Sequence, residues 1–196
     1  MNKGPNAGFS WTPAARTHPG TALPRIWTVG HSTRTTGEFV ALLQSAAITI
    51  VGDVRRFPGS RRYSQYNQPA LTEALASKGM DYVALAELGG RRQPRPDSPH
   101  IAWRNPSFRA YADYMETDPF RHGVDRVIAY AARGRVALMC SEAVWWRCHR
   151  ALIADYLKVH GCSIVHLFSS IRHEEHPYTS AARVVDGQLN YASATA

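Results

Sequence analysis

The sequence lacks the features that mark membrane proteins, secreted proteins and disulfide-stabilised domains. It contains no run of about 18 apolar residues, so no membrane-spanning helix and no membrane association are predicted. Residues 1–20 contain no apolar core of the kind found in secretory signals. Only three cysteines occur among the 196 residues, and this odd number excludes a disulfide framework. We therefore expect a cytoplasmic protein with reduced thiols.

Lysine is also scarce. Of the 23 basic residues only Lys3, Lys78 and Lys158 are lysines, and the formal net charge is +8. The planar guanidinium of arginine binds phosphate and carboxylate groups with two parallel hydrogen bonds. This composition favours an anionic small molecule or a nucleic acid as partner, although an arginine-rich coding composition explains the same bias. Nothing in the sequence indicates the oligomeric state.

The chain is long enough for a single domain with its own core. Residues 1–24 contain four prolines and three glycines and are predicted to be a flexible N-terminal tail, which leaves 25–196 as one domain. Short apolar runs alternate with helical patterns, which indicates an α/β fold with a mostly parallel sheet of about five strands flanked by helices. An Asp-Gly pair predicts a C-terminal β-hairpin. The predicted strands cover residues 26–29, 48–51, 82–85, 136–139 and 162–167, and the hairpin covers 183–191.

Polar side chains follow each of the first four predicted strands. Because the carboxyl ends of parallel strands share one edge of a sheet, these side chains are expected to converge on one crevice. In chain order they are His31, Ser32, Asp53, Arg55, Glu87, Cys140 and Glu142.

Residues 135–150 form a predicted strand, a polar loop and a helix start, and they concentrate the reactive groups. Cys148 lies at the predicted helix start between Arg147 and His149, where cations and a helix N-terminus lower the pKa of a thiol. Cys140 at the strand exit is a second candidate for a reactive thiol. The alternative is that both cysteines are small buried apolar residues.

A metal site is a further interpretation of the same residues. Cys140, Cys148 and His149, with or without His31, offer the sulfur and nitrogen ligands that zinc and iron accept. Their spacing matches no standard zinc ribbon or finger.

The segment 53–62 is an arginine-rich loop that begins with a carboxylate. Asp53 is predicted either to orient an arginine or to act as a base, while Arg55, Arg56 and Ser60 bind an anion. In the alternative interpretation Asp53 forms a structural salt bridge with Arg55.

The remaining polar candidates each have a structural alternative. His31 is either a proton carrier or a hydrogen-bonded structural residue, and Ser32 or Thr36 is predicted to cap the first helix. Glu87 accepts from a ribose or an amine, or it pairs with Arg91 or Arg92. The aromatic residues stack on nucleic-acid bases or belong to the core; they are Tyr63, Tyr66, Trp103, Trp145 and Trp146.

Taken together, the motifs closely resemble the domain of unknown function 488 family over about residues 26–191. The motifs are VGHS (29–32), DVRRFPGSRR (53–62), Asn67, ELGG (87–90), WRN (103–105), YADYM (111–115), ALMCSEAVWWRCHR (137–150) and HPYT with ARVVDGQLNY towards the C-terminus. The resemblance implies family membership and a shared site but no particular reaction. It places family positions at Gly30, His31, Ser32, Asp53, Arg55, Pro58, Ser60, Glu87, Cys140, Glu142, Cys148, His149 and Arg150.

We therefore hypothesise an enzyme that acts on a nucleotide, a nucleic acid or another anionic substrate. Cys140 or Cys148 is the nucleophile or a metal ligand, and the other groups carry protons or bind the anion. Glu142 and Asp53 are the acid/base groups, His149 and His31 the proton carriers, and Arg55, Arg147 and Arg150 the anion-binding residues. The alternative is a nucleic-acid-binding module without catalysis, which uses a basic face rich in aromatic residues.

Overall fold

A computed structural model describes residues 24–192, so the predicted tail lies outside the described residues except for Pro24. The fold is α/β, as predicted, with a mixed sheet of six strands in the order β3-β2-β4-β1-β5-β6. The first five strands pair in parallel, and β6 pairs antiparallel with β5. The strands are β1 (Arg25–Gly30), β2 (Ile50–Asp53), β3 (Asp81–Ala84), β4 (Val136–Cys140), β5 (Ser163–Leu167) and β6 (His173–Glu175).

Helices cover both faces of the sheet. They are α1 (Thr36–Ser45), α2 (Gln68–Ala76), α3 (Pro106–Met115), α4 (Asp118–Ala131) and α5 (Arg150–Val159), with 3-10 turns at Ser64–Tyr66, Ala86–Leu88 and Trp145–Arg147. The residues of β4 alternate between two apolar clusters: Val136 and Leu138 face α3, α4 and α5, whereas Ala137 and Met139 face α1 and α2. The chain therefore changes face after β3, and ligand crevices form at the carboxyl ends of strands where such a change occurs.

The C-terminal hairpin is also confirmed. Strands β7 (Arg183–Val185) and β8 (Gln188–Asn190) pair antiparallel across Asp186 and Gly187. Both turn residues have positive φ, at 50° and 74°, as a type I′ turn requires.

Several predicted boundaries were wrong. The cap of α1 is Thr35 rather than Ser32 or Thr36: its hydroxyl accepts from the Glu38 N–H, and the Glu38 carboxylate accepts from the Thr35 N–H. Strand β2 begins two residues later than predicted and includes Asp53. Strand β6 was not predicted, because three polar residues show no apolar alternation.

Within residues 24–192, no helix combines the length and the apolar character that crossing a bilayer requires.

Candidate active site: the cysteine cleft

A cleft of about 430 Å³ opens at the carboxyl ends of β1, β2 and β4. We call it the cysteine cleft, because Cys140, Cys148 and His149 form its floor. Its walls bring together residues that lie far apart in the sequence. The polar wall residues are His31, Arg55, Arg56, Ser60, Tyr63, Arg91, Ser107, Ser141, Glu142 and Arg147.

The buried strand β4 brings Cys140 to the floor. Beyond it, the chain is held against the loop that follows β1: the N–H groups of His31 and Ser32 donate to the carbonyls of Cys140 and Ser141, both at 2.9 Å. Gly30 makes this close approach possible, because a Cβ at this position would lie 1.8 Å from the Glu142 carbonyl oxygen. The glycine of the VGHS motif therefore leaves room for the backbone of the loop that carries Ser141 and Glu142.

Cys148 lies between the 3-10 turn Trp145–Arg147 and α5, and its sulfur accepts from Arg150 and from Cys140. The Nε–H of buried Arg150 donates to Cys148 Sγ at 3.4 Å, and the Arg150 Nη2 donates to the Glu142 carbonyl. Burial alone would raise the pKa of Cys148, but the hydrogen bond from Cys140 and the charge of Arg150 outweigh it and lower that pKa to about 6.

Cys140 has the opposite character. Its hydrogen bond to Cys148 and its burial raise its pKa well above the ordinary value. At neutral pH the pair therefore consists of a Cys148 thiolate and a Cys140 thiol that donates to it. Only a thiolate is a strong nucleophile or metal ligand, so Cys148 is the reactive member of the pair.

His149 completes the floor. Its Nε2 lies 3.0 Å from the Val54 carbonyl, which can only accept, so the ring proton is on Nε2 and Nδ1 carries a lone pair. Burial lowers the pKa of the imidazole, so the ring is neutral. Its Nδ1 faces Cys148 Sγ at 3.6 Å.

These three floor residues could hold a metal ion. The two sulfurs and the imidazole nitrogen all lie within 4.8 Å of one another. The set combines soft sulfur with imidazole, which suits zinc or iron rather than magnesium or calcium. His31 lies outside this group.

His31 forms part of the wall and is held in one tautomer. Its ring stacks on Tyr66 with 3.9 Å between centroids, and its Nδ1–H donates to the Ser32 carbonyl at 3.0 Å. Burial and the charge of Arg55 lower the pKa of His31 to about 4, so Nε2 is an acceptor at neutral pH and accepts from Arg55 Nη1 at 3.5 Å. Ser32, at a φ of 51°, serves as the acceptor for this ring.

Asp53 lies behind the wall and holds Arg55 in place. Its carboxylate accepts from Arg55 Nε at 2.9 Å and from Arg55 Nη2 at 2.6 Å, and also from the Tyr82 hydroxyl at 2.8 Å. Only 1% of Asp53 is exposed. The structure thus places Asp53 where it orients an arginine and not where it meets a ligand.

The rim of the cleft is strongly basic. Arg56, Arg91 and Arg147 are exposed, and Glu142 is the one carboxylate among the lining residues. Ser60 is fixed by Asn67, whose side-chain oxygen accepts from the Ser60 N–H at 2.6 Å.

Glu87 and most of the predicted aromatic residues lie outside the cleft. Glu87 pairs with Arg126 at 2.5 Å, 39 residues away, rather than with Arg91 or Arg92. Trp145 is buried and stacks on His166, with 4.6 Å between ring centroids. Trp103 packs against Phe108, and Tyr66 is fully buried beneath His31. Tyr63 lines the cleft.

Several lining residues belong to motifs noted in the sequence but were not predicted as site residues. Tyr111 of α3 lies 5.0 Å from the His149 ring, centroid to centroid. Gly90 packs against the same ring, since a Cβ on it would lie 2.9 Å from His149 Nδ1. The Gly-Gly pair after β3 was a usable signal for Gly90, whereas the helical pattern around Tyr111 resembles that of any core residue.

Comparison with known proteins identifies one family. The family described as "Domain of unknown function DUF488" matches residues 35–157, the part of the chain that contains β2, β3, β4 and most of α5. Neither a curated protein nor a solved structure matches the chain.

Proposed function

The chain belongs to the DUF488 family, and we propose that it is an enzyme that acts on an anionic substrate in the cysteine cleft. Cys140, Cys148 and His149 are its reaction centre. The observation that carries this proposal is the position of Cys148 on the floor of a cleft with a basic rim, where the buried Arg150 donates to its sulfur. A buried anion needs partners, and here Arg150 and Cys140 both donate to it.

The rim supports the substrate class. Three exposed arginines, Arg56, Arg91 and Arg147, surround the opening, and their guanidinium groups match the geometry of phosphate and carboxylate oxygens. The serine hydroxyls of Ser60 and Ser141 add uncharged donors to the same walls. A small phosphorylated or carboxylated molecule, or the end of a nucleotide, fits a cleft of about 430 Å³.

The proton carriers of this enzyme are Glu142 and His31. Glu142 is exposed at the cleft and is the lining carboxylate. His31 is neutral and lines the cleft, and its Nε2, which accepts from Arg55 Nη1 at 3.5 Å, is the ring nitrogen that would accept a proton. Asp53 contributes indirectly, because it fixes the position of Arg55.

A non-catalytic nucleic-acid-binding module draws less support. Base stacking needs exposed aromatic faces, but Tyr66 and Trp145 are buried and engaged with His31 and His166. Of the five nominated aromatic residues, Trp146 is the one that is largely exposed, at 48%.

Two alkylating reagents of different charge test the proposal on the chelator-treated chain. Iodoacetate carries a carboxylate where iodoacetamide carries a neutral amide. Relative to a free cysteine, Cys148 should favour iodoacetate by about tenfold, because a basic cleft concentrates anions. Inorganic phosphate should slow both reactions at Cys148.

The matched variants are Arg147→Gln at the rim and Arg133→Gln near the start of β4, at the opposite edge of the sheet. Both arginines are exposed, so both variants remove one surface charge. Only Arg147→Gln should reduce the preference for iodoacetate. An equal preference in both variants, or none in the unaltered chain, would contradict the proposed anionic substrate.

A further inference from the structure

The three floor residues of the cysteine cleft come from two elements that meet at one point. Cys140 ends β4, and Cys148 and His149 directly precede α5. Their two sulfurs and one imidazole nitrogen lie within 4.8 Å of one another. Two sulfurs and an imidazole nitrogen at this separation, contributed by two elements, are typical of a site that a single metal ion completes.

The orientation of His149 is that of a metal ligand. In metal sites the second ring N–H of a ligating histidine donates to a carbonyl or a carboxylate. Here the Nε2–H donates to the Val54 carbonyl at 3.0 Å, which leaves the Nδ1 lone pair directed at the Cys148 sulfur, 3.6 Å away. An ion between these two atoms would accept both lone pairs.

The distance between Cys148 Sγ and His149 Nδ1 agrees with tetrahedral zinc coordination. With Zn–S of about 2.3 Å, Zn–N of about 2.05 Å and a tetrahedral angle, the sulfur and nitrogen atoms lie roughly 3.5 Å apart. The observed 3.6 Å between Cys148 Sγ and His149 Nδ1 matches this edge.

The surroundings also suit a bound dication. Arg150 donates from Nε to Cys148 Sγ, the kind of outer hydrogen bond that orients a ligating thiolate. Two thiolates neutralise a dication, and the buried guanidinium of Arg150 keeps its hydrogen bond to the Glu142 carbonyl. All three donors line the cleft, so their open side faces the space in which a substrate would lie.

We propose that Cys140, Cys148 and His149 bind one Zn²⁺ ion with three protein ligands and leave its fourth position open to the cysteine cleft. Three protein ligands and one open position are the pattern of catalytic rather than structural zinc. Such an ion supplies a Lewis acid that polarises a substrate oxygen or activates a water molecule. The catalytic role rests on the proposed function, whereas metal binding does not.

Cobalt titration of the full chain tests the site. Co²⁺ replaces zinc in such sites, and thiolate ligands give it sulfur-to-metal charge-transfer bands and intense visible bands in tetrahedral geometry. The chelator-treated chain should bind about one Co²⁺ with these bands, and Zn²⁺ should abolish them because zinc binds more tightly.

Variants assign the ligands. Cys140→Ser and His149→Gln should each weaken Co²⁺ binding by more than about tenfold, the least that loss of a supporting group costs. Cys162→Ser removes the third buried cysteine, which precedes β5, and should leave the titration unchanged. Circular dichroism verifies folding, and if one ligand variant does not fold, the other carries the test.

The outcomes separate this proposal from the function above. Absence of the cobalt bands in the unaltered chain, or their persistence at unchanged affinity in every ligand variant that folds, overturns the metal site. Cobalt bands without any preference for iodoacetate support the metal site and contradict the anionic substrate. Preference for iodoacetate without cobalt bands supports the anionic substrate and contradicts the metal site.

Discussion

At the scale of single residues, two backbone carbonyls determine the chemistry of the cleft. The Val54 carbonyl holds the proton of His149 on Nε2, and the Ser32 carbonyl holds that of His31 on Nδ1. The two imidazoles are therefore opposite tautomers, and each keeps one ring nitrogen as an acceptor: Nε2 of His31 faces Arg55 Nη1 and Nδ1 of His149 faces Cys148 Sγ. Since burial also keeps both rings neutral, they act as acceptors or ligands rather than as cations.

A substitution at Gly90 tests whether the position of the His149 ring matters for metal binding. A methyl group at this position would lie 2.9 Å from His149 Nδ1, so the ring must shift from its position beside the Cys148 sulfur. Gly90→Ala is therefore expected to weaken Co²⁺ binding by about tenfold or more.

Gly59→Ala is the matched control, because Gly59 also lines the cleft but an added Cβ meets no atom within 4 Å. The control should bind cobalt as the unaltered chain does. Equal affinities for both variants would show that the His149 position does not matter for the metal.

At the scale of secondary-structure elements, the buried Asp53–Arg55 pair joins the parts that form the cleft wall. Asp53 ends β2 and accepts from Tyr82 of β3, while Arg55 donates to the Tyr66 carbonyl in the 3-10 turn. Three separate segments therefore share one ion pair, and Arg55 keeps a fixed position beside His31.

Loss of Asp53 should be costly. Asp53→Ala leaves the guanidinium of Arg55 buried without its partner, which typically costs about 3–5 kcal/mol of unfolding free energy. Asp97→Ala breaks the exposed pair with Arg95 and should cost less than about 1 kcal/mol. Urea denaturation of both variants measures the two values, and a small loss for Asp53→Ala would show that the pair is dispensable.

The secondary-structure elements around the cleft were predicted from the sequence better than the contacts between those elements. Strand β4, the polar loop and α5 follow from the apolar run at 136–139 and the helical pattern after it, and this succession already placed Cys140 and Cys148 near each other. The position of Asp53 at the end of β2 also follows from its place after an apolar run.

The pairing of strands and side chains that lie far apart in the sequence could not be predicted from local patterns. Nothing local shows that β4 inserts between β1 and β2, although this order brings His31 beside Cys140. The partner of Glu87 is Arg126 on α4, not an adjacent arginine, because helix packing decides which charges meet. The role of Gly90 depends likewise on where His149 lies in space.

At the scale of the whole molecule, a buried chain of polar groups connects the sheet, α5 and the C-terminal segment. Thr28 bonds His166 at 2.6 Å, His166 bonds His176 at 2.9 Å, and His176 bonds Asp155 at 2.8 Å. Tyr191 donates to the same carboxylate at 2.8 Å. Burial, followed by the neighbouring charges, lowers the pKa of His166 to about 2, so this ring is neutral in the folded protein.

This buried hydrogen-bond network predicts that the folded protein is destabilised by acid. Unfolded histidine has a pKa of about 6.5, so below that pH the unfolded state takes up a proton at His166 that the folded state excludes. The free energy of unfolding should therefore fall as the pH decreases from about 6.5 to 4.5, by roughly 2.5 kcal/mol for this residue alone.

Denaturant unfolding at several pH values measures this slope. His166→Gln lowers stability overall, but it should flatten the slope between pH 6.5 and 4.5, since no proton is then excluded. An unchanged slope in His166→Gln would assign the acid sensitivity to other groups.

Timed labelling of the three cysteines tests most directly whether the Cys140–Cys148–His149 cluster is a reaction centre. Peptide mass spectrometry follows iodoacetamide labelling of the full chain, before and after treatment with a chelator. With metal bound, both Cys140 and Cys148 should be protected. After chelation Cys148 should label rapidly near neutral pH, whereas Cys162, whose pKa burial raises to about 11, should stay slow. Uniformly slow labelling of all three cysteines until the protein unfolds, with and without chelator, would contradict the account.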